Sequence, residues 1–146
     1  MADGETPKAK GPATRFGTGF LRDIWYFAAL SGDVKPGAMA RHEMLGEPVL
    51  IGRDRKGALF ALRDVCPHRA APLSAGKITT EADGQTSVEC PYHGWRFGRS
   101  GACTAVPSLT ADQPMEVSRI RVKRYPVAES QGMIWVWTAS DPRCAS

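Results

Sequence analysis

Two short segments of this chain each combine a cysteine with a histidine, and they limit what the chain can fold into. The first arm is Cys66-Pro67-His68, and the second arm, after 21 intervening residues, is Cys90-Pro91-Tyr92-His93. Each arm offers one thiolate and one imidazole, and a proline directly follows each cysteine. A metal group held by all four side chains requires a fold that brings the two arms together.

Two cysteines and two histidines suit two kinds of metal site. They can hold a [2Fe–2S] cluster, with the thiolates on one iron and the imidazoles on the other. They can also hold a structural zinc ion in tetrahedral geometry. Zinc modules usually have tighter loops and need no large β scaffold, so the spacing of the two arms favours the cluster.

The two arms and their flanks resemble the signature of Rieske non-haem iron oxygenases, and the resemblance covers residues 20–142. The flanking similarity lies in Arg69–Leu73 after the first arm and in Gly94–Phe97 after the second. The opening Trp25–Ala29 and the closing Gly132–Trp137 also resemble an oxygenase large subunit. The resemblance implies one Rieske-type [2Fe–2S] cluster per chain, bound by Cys66, His68, Cys90 and His93.

The ligand set predicts a reduction potential above that of all-cysteine ferredoxins. Two thiolates leave the oxidised cluster neutral, and an electron enters a neutral site at lower cost than an anionic one. Rieske centres span about −150 to +300 mV. The resemblance implies the low end of this range. Trp95 and Phe97 stand where high-potential members have hydroxyl donors, and Ala71 and Tyr92 stand where those members have a disulfide.

The succession of short apolar runs and turns predicts an all-β fold. No long amphipathic helix is predicted. The resemblance implies the Rieske iron–sulfur fold, with stacked antiparallel sheets and a cluster-binding subdomain inserted at about residues 64–107. Strands are predicted at Trp25–Ala29, Arg41–Leu45, Pro48–Arg53, Ala58–Arg63, Thr86–Glu89, Trp95–Phe97, Val117–Tyr125 and Met133–Thr138. A hairpin loop is predicted at Asp54–Gly57.

Length and composition indicate one globular domain. The chain has 146 residues, of which 42% are hydrophobic and 23% are charged, as is ordinary for a globular protein with its own core. Residues 1–15 lack periodicity and predict a disordered tail. We expect the Rieske domain at residues 16–142 and a second tail at residues 143–146.

Charge and hydropathy patterns argue against several classes of partner. No apolar run approaches the roughly 18 residues that span a bilayer, and the N-terminus lacks the apolar core of a signal peptide. We therefore expect a cytoplasmic protein with no membrane partner. The net charge of +4 is spread along the chain. Its densest stretch, Arg119–Arg124, has no interleaved aromatic residues, so nucleic-acid binding is not supported.

The resemblance implies electron transfer through the cluster to the mononuclear non-haem iron of a ring-hydroxylating or demethylating oxygenase. The donor would be a reductase or ferredoxin, and the acceptor would be an oxygenase catalytic domain. A freestanding ferredoxin-type carrier and a redox-sensing regulatory module are the alternatives. The oxygenating iron needs two histidines and a carboxylate. The chain has 3 histidines, two of them in the arms, so we expect no catalytic residues within it.

Other side chains of interest receive structural interpretations. Cys103 is predicted to be a buried packing residue, and Cys144 a free thiol in the tail. His42 is predicted to be exposed or fully hydrogen-bonded, and one of Trp135 and Trp137 is expected to face the core. Arg69 and Arg96 lie beside the arms, where either a docking face or ordinary salt bridges would explain them.

Overall fold

The computed structural model describes residues 20–113 and 115–139, which form three antiparallel sheets. The terminal sheet has the strand order β1 (Ile24–Leu30), β11 (Met133–Thr138) and β10 (Val127–Ser130). The central sheet has the order β2 (Met39–Met44), β3 (Glu47–Arg53), β4 (Leu59–Arg63) and β9 (Arg124–Tyr125). The arm sheet has the order β5 (Lys77–Thr80), β6 (Thr86–Glu89), β7 (Arg96–Gly98) and β8 (Cys103–Ala105).

The all-β prediction is therefore confirmed. Three-residue 3₁₀ turns at Ser31–Asp33, Leu73–Ala75 and Val117–Arg119 interrupt the strands. The described residues contain no helix of the length and apolarity needed to cross a bilayer. The predicted tails, residues 1–15 and 143–146, and Cys144 lie outside the part of the chain that the structure describes.

Tight turns fix the register of the central sheet. Leu45 and Gly46, between β2 and β3, both have positive φ angles, of 52° and 75°. This backbone is that of a two-residue hairpin turn whose twist matches the flanking strands. Between β3 and β4, the Asp54 carboxylate accepts hydrogen bonds from the backbone N–H groups of Lys56 and Ala58, each at 2.9 Å. The hairpin loop predicted at this position is confirmed.

The central sheet is buried on both faces and separates two apolar cores. Val49, Leu50 and Ile51 are consecutive in β3, and all three are fully buried. Because successive side chains of a strand point to opposite faces, both faces must be covered. Leu50 packs into the core beneath the arm sheet, whereas Val49 and Ile51 pack into the core shared with the terminal sheet. The arm sheet lies between β4 and β9 in sequence, as expected for an inserted subdomain. Its limits at residues 64–107 stay a prediction.

One predicted strand is wrong. Residues 117–125 form a 3₁₀ turn at Val117–Arg119 and a strand only at Arg124–Tyr125. Between them the chain crosses from one sheet to another. The N–H of Val122 donates to Gly101 next to the arm sheet, and the carbonyl of Lys123 accepts from Arg63 of the central sheet. The alternating sequence could not reveal this change of partner.

The prediction for the two tryptophans of β11 is also wrong. Residues two apart in a strand share a face. Trp135 and Trp137 therefore lie together on the outer side, while Ile134 and Val136 fill the core. Their rings meet Phe27 and Trp25 of β1 edge to face, with centroids 6.1 and 5.6 Å apart.

Candidate metal centre

The two arms adopt the same backbone turn. In the first, the N–H of Cys66 donates to the carbonyl of Ala71, and the N–H of Ala70 donates back to Cys66, both at 2.8 Å. In the second, Cys90 donates to Trp95 at 2.7 Å, and Gly94 donates to Cys90 at 3.1 Å. We call residues 66–71 and 90–95 the first and second arm loops. Each loop holds its cysteine at the mouth and its histidine near the tip.

The two candidate ligand cysteines are buried close to each other. Cys66 is 1% and Cys90 3% exposed, and the Cys90 sulfur is close enough to act on the ionisation of Cys66. Burial and the neighbouring Cys90 sulfur raise the pKa of the Cys66 thiol to about 11, although the backbone N–H groups of His68 and Arg69 donate to its sulfur. The protein alone therefore keeps Cys66 as a thiol, whereas a metal ion converts coordinating thiols to thiolates.

The two candidate ligand histidines are exposed and also adjacent. The ring centroids of His68 and His93 lie 4.9 Å apart, with 59° between the ring planes. Trp95 stacks on His68 at 4.4 Å and 7°, and Tyr92 meets His93 edge to face at 4.3 Å. Desolvation, His93 and the Arg69 charge together lower the pKa of His68. The neutral ring, which is the metal-binding form, is favoured.

The four side chains thus form a buried pair of thiols and an exposed pair of imidazoles. This arrangement fits a [2Fe–2S] cluster, in which the thiolates take one iron and the imidazoles the other. Within residues 20–113 and 115–139, no group of three or more His, Cys, Asp or Glu side chains surrounds one metal-ion position. A paired S₂N₂ donor set on an all-β scaffold suits an iron–sulfur domain.

No side-chain hydroxyl is present at positions 95 and 97, where high-potential members have hydroxyl donors. Phe97 is fully buried in the core beneath the arm sheet, and Trp95 is committed to its stack on His68. Cys66, Cys90 and Cys103 are all free thiols. Cys103 is 2% exposed, so its prediction as a packing residue is confirmed.

Charged residues around the arms form ordinary salt bridges. The Arg96 guanidinium contacts Glu89 at 3.2 Å and Glu81 at 3.4 Å, which selects the salt-bridge interpretation for Arg96. Arg69 is exposed beside His68. His42 differs from its prediction, because its Nε2 atom is buried with no hydrogen-bond partner among the described residues.

Sequence reasoning missed two features of the centre. One is the stack of Trp95 on His68, which joins the two arm loops. The other is the buried Asp64, two residues before Cys66. The sequence shows Asp64 between an apolar strand and Cys66, which could have indicated a functional charged residue. The partners of Asp64 could not be read from the sequence, because they lie 10 and 23 residues away.

Residues 24–126 match the Rieske [2Fe-2S] domain family, and the chain belongs to it. The family binds a Rieske-type [2Fe–2S] cluster, so the predicted cofactor is confirmed and the zinc alternative is not supported. The chain is 42% identical over 117 residues to chlorophyllide a oxygenase of Chlamydomonas reinhardtii, covering 80% of this chain and 17% of that protein. It is 35% identical over 126 residues to the oxygenase component of dicamba O-demethylase from Stenotrophomonas maltophilia, covering 86% and 34%.

Solved structures show the same relationship. The crystal structure of apo dicamba monooxygenase superposes with a TM-score of 0.71 at 35% identity, covering 87% of this chain and 36% of that one. The reduced complex between oxygenase and ferredoxin in carbazole 1,9a-dioxygenase gives a TM-score of 0.70 at 26% identity, covering 82% and 30%. The chain therefore spans about a third or less of the length of these relatives.

Proposed function

We propose that this chain carries electrons to a mononuclear non-haem iron centre in an oxygenase catalytic domain. Cys66, His68, Cys90 and His93 are the proposed ligands of the cluster. The observation that carries the proposal is the paired arrangement of buried thiols and exposed imidazoles. The cytoplasmic location stays a sequence-based prediction.

The chain's own residues suit one-electron transfer. When bound, the cluster supplies the one-electron redox chemistry. Cys66 and Cys90 sit in an apolar core that excludes water from the sulfur side. His68 and His93 reach solvent, so their ring edges give an electron a short path to a partner surface. Trp95 holds the His68 ring in one plane across the two arm loops.

The proposed donor is a reductase or a ferredoxin, and the proposed acceptor is an oxygenase catalytic domain. Support comes from the named relatives, which are oxygenases, and from the solved oxygenase–ferredoxin complex of carbazole 1,9a-dioxygenase. No feature of the described residues favours a freestanding carrier or a regulatory module. Oxygenation itself belongs to the acceptor, because His42 is the one histidine of the sequence outside the arms.

Anaerobically purified protein tests this proposal. We expect two irons and two acid-labile sulfides per chain, and an EPR signal after dithionite reduction with an average g below the free-electron value. The reduced protein should then be reoxidised by an oxygenase catalytic domain that retains its mononuclear iron, with the same domain stripped of that iron as the control. Zinc without labile sulfide, or equal reoxidation by the iron-loaded and iron-free domains, would contradict the proposal.

A further inference from the structure

A buried carboxylate with three hydrogen bonds stands at the base of the first arm loop. Asp64, the residue after β4, is 1% exposed. Its Oδ1 atom accepts from the backbone N–H of Ser74 at 2.7 Å. Its Oδ2 atom accepts from the Ser74 hydroxyl at 2.5 Å and from the Arg41 guanidinium at 3.0 Å. Burial of a carboxylate is costly unless such partners are present.

These bonds close the loop that carries Cys66 and His68. The N–H of Asp64 donates to the carbonyl of Pro48, which fixes the start of the loop on β3. Ser74 lies in the 3₁₀ turn Leu73–Ala75 at the other end. Asp64 therefore ties both ends of the loop to the central sheet.

The same contacts reach the second arm. Gly76 directly follows the 3₁₀ turn, and a Cβ atom there would lie 1.8 Å from the carbonyl oxygen of Glu89. The next residue, Lys77, is the register partner of Glu89 in the arm sheet. Because Glu89 precedes Cys90, the turn that contains Ser74 connects directly to the backbone that presents the second thiol.

Asp64 also places negative charge beside the ligand loop. Its ion-pair partner among the described residues is Arg41, whose side chain is 52% exposed, so solvent weakens the compensation of the buried charge. A charge in a low-dielectric interior acts more strongly than the same charge in water. Adding an electron to a nearby group is then less favourable.

We propose that Asp64 is a positioning residue that holds the two arm loops in register and keeps the reduction potential of the cluster low. The inference rests on the proposed function, since it assumes the cluster at these arms. An aspartate is needed because its two oxygens accept all three hydrogen bonds, whereas an asparagine offers one acceptor oxygen.

The test compares Asp64→Asn with Asp54→Asn in the cluster-loaded protein. Asp54 is a matched control, because it is also buried and accepts two backbone N–H groups and an arginine, yet it serves the β3–β4 turn. Two quantities are measured: the midpoint potential by EPR-monitored titration at one pH, and the rate of cluster loss to a chelator. We expect Asp64→Asn to shift the potential positive and to accelerate cluster loss several-fold. Asp54→Asn should lower the melting temperature and leave the potential unchanged.

Two further variants keep the proposal testable if Asp64→Asn fails to fold. Ser74→Ala removes one hydrogen bond without removing charge, so it should accelerate cluster loss with a smaller shift in potential. Arg41→Gln leaves the buried carboxylate without its cation, so it should shift the potential in the negative direction.

Three results would contradict this inference. The first is a potential and rate of cluster loss in Asp64→Asn equal to those of the parent. The second is a positive shift in Arg41→Gln. The third is an equal shift in Asp54→Asn. A parent protein without a cluster would overturn the proposed function itself, so the two failures are distinguishable.

Discussion

The two arm loops share one backbone but are supported in different ways. In both, the cysteine N–H donates to the carbonyl five residues later, and the residue before that carbonyl has a left-handed backbone. That residue is Gly94 in the second loop, at φ 72°, and Ala70 in the first, at φ 57°. A left-handed conformation costs a non-glycine residue about 1–2 kcal/mol. The surrounding structure must therefore impose it on Ala70.

The structure around each loop explains how Ala70 in the first loop can be held in a left-handed conformation. The second arm loop is the turn of a hairpin, because its flanking residues Glu89 and Arg96 are register partners in β6 and β7. The first arm loop has no such strand pair and runs from the central sheet to the arm sheet. The bonds from Asp64 to Ser74 and Arg41 replace the missing ladder. A ligand loop can thus be held either by strand pairing or by a buried side-chain network.

The largest expected effect comes from the ligands, where both loops should be equally essential. Alanine at Cys66, His68, Cys90 or His93 should abolish the visible absorption of the cluster, because each removes one of four bonds that join the loops. Cys103→Ser, a buried thiol in the same core, is the matched control and should keep the spectrum. A bleached but folded Cys103→Ser variant would show that the ligand assignment is incomplete.

Exchanging the left-handed residues should give effects of opposite sign. Gly94→Ala forces a Cβ into a left-handed backbone 3.4 Å from Pro107, and should cost about 1 kcal/mol or more. Ala70→Gly relieves the strain but adds freedom to the unfolded chain, so a gain of up to about 1 kcal/mol is expected. The anaerobic bleaching temperature of the cluster should fall by about 3 °C in the first variant and stay level or rise in the second. Equal decreases would contradict the shared-backbone comparison.

The smallest effect is expected at the ion pairs that brace the arm sheet. Hydrogen bonds from Ser87 and Thr104 and the Arg96 charge lower the pKa of Glu81 below its usual 4.5, although partial burial opposes the shift. A lowered folded-state pKa stabilises the protein above the unfolded-state value, and this contribution disappears as the pH falls through the folded-state pKa. Glu81→Gln should therefore cost roughly 0.2–1 kcal/mol at neutral pH.

Urea unfolding of the apoprotein at two pH values measures this contribution. The difference between the parent and Glu81→Gln should shrink as the pH falls from above 4.5 through the lowered folded-state pKa of Glu81, because Glu81 then becomes protonated in the folded as well as the unfolded parent. A difference that grows with acidification would mean that the ion pairs are not its source.

Features of the fold and the site were predictable from the sequence when the residues that determine them lie close together in the chain. The two arms lie within four residues each, and together with their flanks they indicated the metal chemistry through the resemblance to the Rieske signature. The hairpin at Asp54–Gly57 was likewise visible, because turn residues determine their own backbone. Residues 117–125 were misjudged because their hydrogen-bond partners belong to two different sheets. The network of Asp64 was missed because Arg41 lies 23 residues upstream.

The central claim is that the thiols bind one iron and the imidazoles the other. Pulsed EPR on the dithionite-reduced protein tests it most directly, because the added electron should reside on the histidine-bound iron. We predict hyperfine couplings to two nitrogen nuclei that change when histidine is labelled with ¹⁵N, and the loss of one coupling when His68 is replaced by cysteine. A reduced cluster with no histidine nitrogen coupling would contradict the assignment of His68 and His93.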